Sequence, residues 1–173
     1  MILTGSAIES AVEKGDIVIE PFSKIQLGPN SYDFKLGSRC KVYKNYELDS
    51  AKENPTEEVE FTDDGLLLDP RKLYLFNTAE RMGSARYVQI IRGRSSVGRL
   101  GIFIDITADL IDIGSINQWT LQLHAVMPTR VYPCMLIGQV TFWCVEGEIN
   151  LYSGKYGHLD SPVPSLSFLD EVK

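Results

Sequence analysis

Long apolar runs, a surplus of positive charge and regularly spaced cysteines are all missing from this chain, and each absence removes a class of protein. No stretch of the 173 residues approaches the ~18 uninterrupted apolar side chains of a spanning helix. The N-terminus lacks a basic region followed by an apolar core, so no secretory leader is expected. A soluble cytoplasmic protein without a membrane partner is the expectation. Lys and Arg number 17 against 23 Asp and Glu, a net charge of −6. That balance repels polyanions and argues against broad nucleic-acid binding unless a basic patch is concentrated on one face. The three cysteines, Cys40, Cys134 and Cys144, are odd in number and never spaced CxxC. They fit neither a disulfide framework nor a zinc knuckle and read as small core hydrophobes. The two histidines, His124 and His158, have no constellation around them and read as structural or solvent-facing. No internal repeat is present.

What the chain does contain suits one domain over residues 1–173: a chain of this length with 44% hydrophobic residues should bury about 70% of its unfolded surface. Ser6 followed by Glu9 fits a capping box, Ile8 and Val12 share a face, and Gly15 stands where a C-terminal cap belongs. The pattern predicts a short helix over residues 6–14. After it, short β-rich runs dominate, over residues 17–19, 32–36, 40–43, 65–68, 73–77, 87–91, 101–106, 119–126, 135–145 and 149–152. Gly, Pro, Asn and Asp separate them, the spacing of a sandwich or barrel. Residues 49–64 are acidic and contain Pro55, and read as an exposed excursion. The segment from Gly154, with Pro162 and Pro164, has little periodicity and reads as a loose end.

The most informative run is Gly93 to Gly101, GRSSVGRLG. Arg94 and Arg99 carry planar forks of donors that match phosphate oxygens, and Ser95, Ser96 and backbone N–H groups near the glycines can complete a cradle. If the run turns helically, Ser95 and Arg99 share a face. A nucleotide needs only such a local patch, whatever the net charge.

Further blocks accompany this run in order: Pro29 to Gly37 (PNSYDFKLG) before it, then Thr107 to Asp112 (TADLID) and Pro133 to Phe142 (PCMLIGQVTF). With the ending Gly154 to Ser165 (GKYGHLDSPVPS), they resemble the dCTP deaminase and dUTPase superfamily, the deaminase branch most of all. The likeness covers the whole chain. It implies a mainly β fold, a distorted β-barrel or jelly roll of the dUTPase-like type with a short N-terminal helix. It also implies a homotrimer with sites between subunits, and a C-terminal segment, residues 154–173, that folds over the nucleotide.

Deamination of cytosine needs an activated water, a stabilised tetrahedral intermediate and a proton for the departing ammonia. Zinc deaminases carry HxE and PCxxC, whereas here His124 is followed by Ala125 and Val126, and Pro133-Cys134 reaches Ile137 rather than a second cysteine. No zinc is expected. A GxSxG nucleophile elbow at Ser96 fails because Arg94 stands where glycine is needed. The resemblance implies metal-free chemistry at the base, with Ser95 and Arg99 assisting and Asp112 facing the sugar. It places Arg94, Ser96, Thr107, Ala108, Asp109, Tyr152, Lys155 and Tyr156 as nucleotide contacts, with magnesium carried on the triphosphate.

At the family's water-activating glutamate, this chain has Gln122. A carboxamide can hold water but cannot take its proton near neutral pH. Ser115 replaces the usual aromatic, Asn117 a glycine, and Leu159 the glutamine of the tail. Three readings follow. The first is a dCTP deaminase forming dUTP, with Asp105 or Asp109 as substitute base. The second is a diphosphatase acting on dUTP or another deoxynucleoside triphosphate through Asp112. The third is a nucleotide-binding module, native or trapped by a Glu-to-Gln change. Deamination of dCTP is the nominal expectation.

Overall fold

The computed structural model describes residues 1–157 and 160–170, so the readings of His158 and Leu159 lie outside the described residues. Helix α1 spans Gly5–Glu13, one residue earlier than the spacing predicts, with Thr4 rather than Ser6 at its N-cap and no side-chain capping bond. Glu9 is instead drawn to Lys24 at 2.7 Å. The C-terminal expectation holds: Gly15 has φ 78°, and the amides of Gly15 and Asp16 reach back to the carbonyls of Val12 and Ala11 at 3.0 and 2.9 Å. That pairing closes the helix as a Schellman turn.

Twelve strands follow among the described residues: β1 (Val18–Glu20), β2 (Tyr32–Tyr43), β3 (Thr56–Val59), β4 (Leu66–Leu68), β5 (Tyr74–Thr78), β6 (Arg81–Gly83), β7 (Val88–Gly93), β8 (Ile102–Phe103), β9 (Leu110–Ile111), β10 (Thr120–Ala125), β11 (Thr129–Val131) and β12 (Leu136–Trp143). Eight of them form one sheet in the order β8-β10-β5-β2-β12-β7-β9, with β3 added against β2. The sheet curls into a half-barrel, the mainly β architecture that the sequence predicts. A short helix, α2 (Ser95–Gly98), follows β7. No helix among the described residues is long and apolar enough to cross a membrane.

Several local expectations are corrected. The runs 32–36 and 40–43 are one strand, because the Gly37 region makes a bulge in the β2–β5 ladder and not a turn. The acidic excursion supplies β3, whose Glu57 and Glu58 face solvent while its backbone pairs with β2. Residues 149–152 form no strand; Tyr152 N–H donates to the Ile113 carbonyl at 2.8 Å, and the backbone has just turned at Gly147 with φ 98°. Of the cysteines only Cys40 is buried, its thiol pushed up to about 12 by burial, whereas Cys134 and Cys144 are exposed.

Alternation along β10 decides where a site can form. Leu121, Leu123 and Ala125 face the core with Phe34, Phe76 and Phe142, while Thr120, Gln122 and His124 face outward. Across β5, Leu75 lies opposite Gln122 on that outward face. Every residue of β5 is nevertheless buried, which requires a cover on the outer side. The chain's own C-terminal segment provides it.

Gly83 ends β6 at φ 154°, and a Cβ there would collide with the Ser115 carbonyl oxygen and the Ile116 backbone. This close approach sets the loop that follows Asp112. Gly83→Ala is expected to lower stability by about 1–3 kcal/mol, the usual scale of overpacking, readable as a drop in the urea midpoint at unchanged slope.

Candidate functional site

A cavity of about 530 Å³ lies on the outward face of β5 and β10. Leu75, Thr120 and Gln122 form its floor, the segment from Ile106 to Asp112 one wall, the loop from Ser115 to Trp119 another. Tyr152, Tyr156 and residues 163–165 close it from above. This roof is bonded down at two points, where the amides of Val163 and Ser165 donate to the hydroxyls of Thr120 and Tyr43 at 3.2 and 3.0 Å, and it is tied within itself by the Leu166 N–H, which donates to the Tyr156 hydroxyl at 2.8 Å. The described residues of the segment that reads as a loose end therefore form a cover, and hydroxyl groups at outward positions of β2 and β10 hold it.

Inside, the chemistry is apolar walls, amides and one charge. Asp112 is the only ionisable carboxylate or cationic side chain lining the cavity among the described residues. Gln122 accepts from the Ile106 N–H at 3.4 Å through Oε1 and donates from Nε2 to the Thr120 carbonyl at 3.2 Å. Its carboxamide is thus pinned by backbone on both sides. In the loop, Asn117 Nδ2 donates to Ser115 Oγ and to the Tyr156 carbonyl, each at 3.3 Å, tying the wall to the roof.

Of the residues singled out from sequence, the structure brings Ala108, Asp112, Gln122, Tyr152 and Tyr156 together around this cavity. It leaves out the GRSS block: Ser95 and Ser96 are exposed on α2, Arg94 pairs with Asp33 at 3.0 Å, and Arg99 follows at the end of the helix. Thr107 is exposed between two lining residues. Lys155 is paired with Asp170 at 2.6 Å. Asp109 pairs with Arg92. Asp105 neighbours that pair; burial pushes its carboxyl up, Asp109 adds to the rise, and Arg92 opposes it. Asp105 and Asp109 sit on the segment before β9 rather than on the strand of Gln122, and neither lines the cavity.

Sequence reasoning missed Tyr43, Thr120 and the Ser115–Asn117 polar corner as cavity groups. Alternation marks Thr120 as outward-facing but gives no sign that an outward face is covered.

The chain matches the model of the dCTP deaminase-like family over residues 2–145. It is 47% identical over 171 residues to the "dCTP deaminase, dUMP-forming" of Hathewaya histolytica, covering 98% of this chain and 99% of that protein. A protein of the same description from Cytophaga hutchinsonii is 43% identical over 174 residues, covering 100% of both chains. Among solved structures, the 2′-deoxycytidine 5′-triphosphate deaminase of Agrobacterium tumefaciens superposes with a TM-score of 0.64 at 22% identity, over 82% of this chain and 46% of that one. That likeness is one of fold. The family match and the full-length relatives go further, and the chain belongs to the dCTP deaminase family of enzymes.

Proposed function

We propose that this chain hydrolyses dCTP at both ends, to dUMP, ammonia and pyrophosphate. The observation that carries the proposal is the pairing, in one covered cavity, of a single carboxylate on one wall with a fixed carboxamide on the floor, Asp112 and Gln122. The full-length relatives, named dUMP-forming, join on one substrate the deamination and the pyrophosphate release that sequence reading treats as alternatives.

The balance uses two waters. One adds to C4 of cytosine, the C4–N4 bond breaks, and ammonia leaves with the proton that the water gives up. The other adds to the α-phosphorus, the bond to the bridging oxygen breaks, and pyrophosphate leaves. Asp112 can accept a proton from water, and Gln122 can only hold and orient a water or the base edge. Deamination is therefore the slower half, and dUMP rather than dUTP is the product. Magnesium on the triphosphate would neutralise phosphate charge, and a lone carboxylate suits a cation that keeps most of its waters and its phosphate ligands.

A triphosphate also needs cationic partners, and the cavity has none among the described residues. We place them on a neighbouring subunit: Arg94, Ser95, Ser96 and Arg99 of one protomer completing the cavity of the next, in a homotrimer. Sedimentation is expected to show a species of about three times the 19.4 kDa chain at micromolar concentration. A stable monomer would contradict the shared site. Arg99→Ala is expected to weaken triphosphate binding by roughly tenfold or more in calorimetry, as loss of a charge-assisted phosphate contact should.

The direct test is incubation with dCTP or dUTP and magnesium, resolving ammonia, pyrophosphate and nucleotides. Equimolar ammonia and pyrophosphate from dCTP is the expected result. Ammonia with dUTP accumulation would restore the simple deaminase. Pyrophosphate from dUTP without ammonia from dCTP would make the chain a diphosphatase. No product from either would leave a binding module.

A further inference from the structure

Three blocks far apart in sequence meet on the outer face of the sheet. The ladder sets Asp33 of β2 beside Gln139 of β12, and Gln139 beside Arg92 of β7. The neighbours Tyr32, Phe34, Val140 and Ile91 point the other way, into the core. Arg94 lies one step past β7 with its N–H on the Ile137 carbonyl at 3.2 Å, and it opens α2. Its Nε sits 3.0 Å from Asp33 Oδ2. The other oxygen of Asp33 accepts from Gln139 Nε2 at 2.9 Å, and that amide also lies 3.5 Å from Ser31 Oγ.

Both oxygens of one carboxylate are thus occupied, one by a neutral amide that fixes the carboxylate and one by the guanidinium. Only 17% of the Asp33 side chain is exposed, against 33% for Arg94. An anion in this place weakens the local positive potential that a phosphate would meet, so its presence beside a phosphate ligand calls for a compensating gain. Order supplies that gain. A long arginine samples many rotamers when free, and a pair made through Nε restrains the guanidinium while leaving Nη1 and Nη2 outside that pair.

We infer that Asp33 and Gln139 are positioning residues that hold Arg94 ready for the triphosphate. The inference rests on the proposed function, in which Arg94 is a phosphate ligand. It assigns a task to the conspicuous aspartate of the PNSYD block and to the glutamine of the IGQ block, neither of which lines the cavity.

The test is calorimetry of the intact protein with the non-hydrolysable α,β-imido analogue of dUTP and with dUMP, both with magnesium. Arg94→Ala is expected to weaken the analogue about tenfold, and Asp33→Asn about fivefold, with dUMP affinity unchanged in each. The double variant should bind no more weakly than Arg94→Ala alone, because Asp33 acts only through Arg94. Gln139→Met, which leaves every charge in place, should weaken the analogue two- to threefold and keeps the question open to measurement if Asp33→Asn fails to fold. Unchanged or tighter binding by Asp33→Asn would make Asp33 a counter-ion only and overturn the inference. So would additive losses in the double variant, or equal weakening of dUMP, either of which marks a structural role. Unchanged binding by Arg94→Ala would remove the phosphate role of Arg94, and the positioning role with it, while leaving the Asp112 cavity standing.

Discussion

Asp112→Asn is expected to reduce pyrophosphate release from dUTP by about 10²- to 10⁴-fold, the usual range for removing a general base, while leaving nucleotide affinity nearly unchanged. The substitution keeps the shape of the side chain and the turn it sits in, where the Ser115 N–H donates to the Asp112 carbonyl at 3.1 Å. It removes the one carboxylate that faces the cavity among the described residues. An equal loss of affinity would mean that Asp112 binds rather than activates. The comparison is made by steady-state release of pyrophosphate set beside calorimetry on a non-hydrolysable analogue.

Gln122→Glu carries the second large effect, in the opposite direction. Ammonia release from dCTP should rise by roughly 10²-fold or more once a proton acceptor stands on the cavity floor. The surroundings favour that role. One carboxylate oxygen would keep the Ile106 N–H that Gln122 Oε1 now accepts. The other would replace Nε2 and meet the Thr120 carbonyl oxygen, to which Nε2 now donates at 3.2 Å. Two oxygens facing each other disfavour the ionised form, so the new carboxyl should hold its proton more tightly than an exposed glutamate and work closer to neutral pH. Pyrophosphate release from dUTP should change little. Brisk deamination by the unaltered chain, with no gain from the substitution, would show that Gln122 is not the limiting residue.

Much of the architecture was legible because it depends on short-range pattern. Alternation of apolar residues in Thr120 to Ala125 and in Leu136 to Trp143, punctuated by turn residues, predicts strands, and strands are what form. The errors fall where a tertiary partner overrides a local signal. Glu9 fits a capping box yet pairs with Lys24, and residues 149–152 have strand-like composition but meet the chain past β9 through the Tyr152 N–H to Ile113 carbonyl bond without forming a ladder. Gly37 reads as a break because glycine often marks turns, whereas here the same strand continues through a bulge.

For the site, residue type alone marked Asp112, Gln122 and the GRSS block, since carboxylate, carboxamide and guanidinium chemistry is a property of the side chain. Which of them meet is a different matter. Arg94 and Asp112 stand 18 positions apart in the chain, yet only Asp112 reaches the cavity. Arg94 instead meets Asp33, a residue 61 positions away, because β2, β12 and β7 are neighbours in the sheet. The sequence by itself determined the longer strands, the family and the chemical vocabulary of the site. The sheet order, the covered outward face of β10 and the roof bonded to Thr120 and Tyr43 were decided only by the tertiary structure. Those contacts join residues that no local pattern links, and their free energy exists only once the sheet has curled and the C-terminal segment has closed over it.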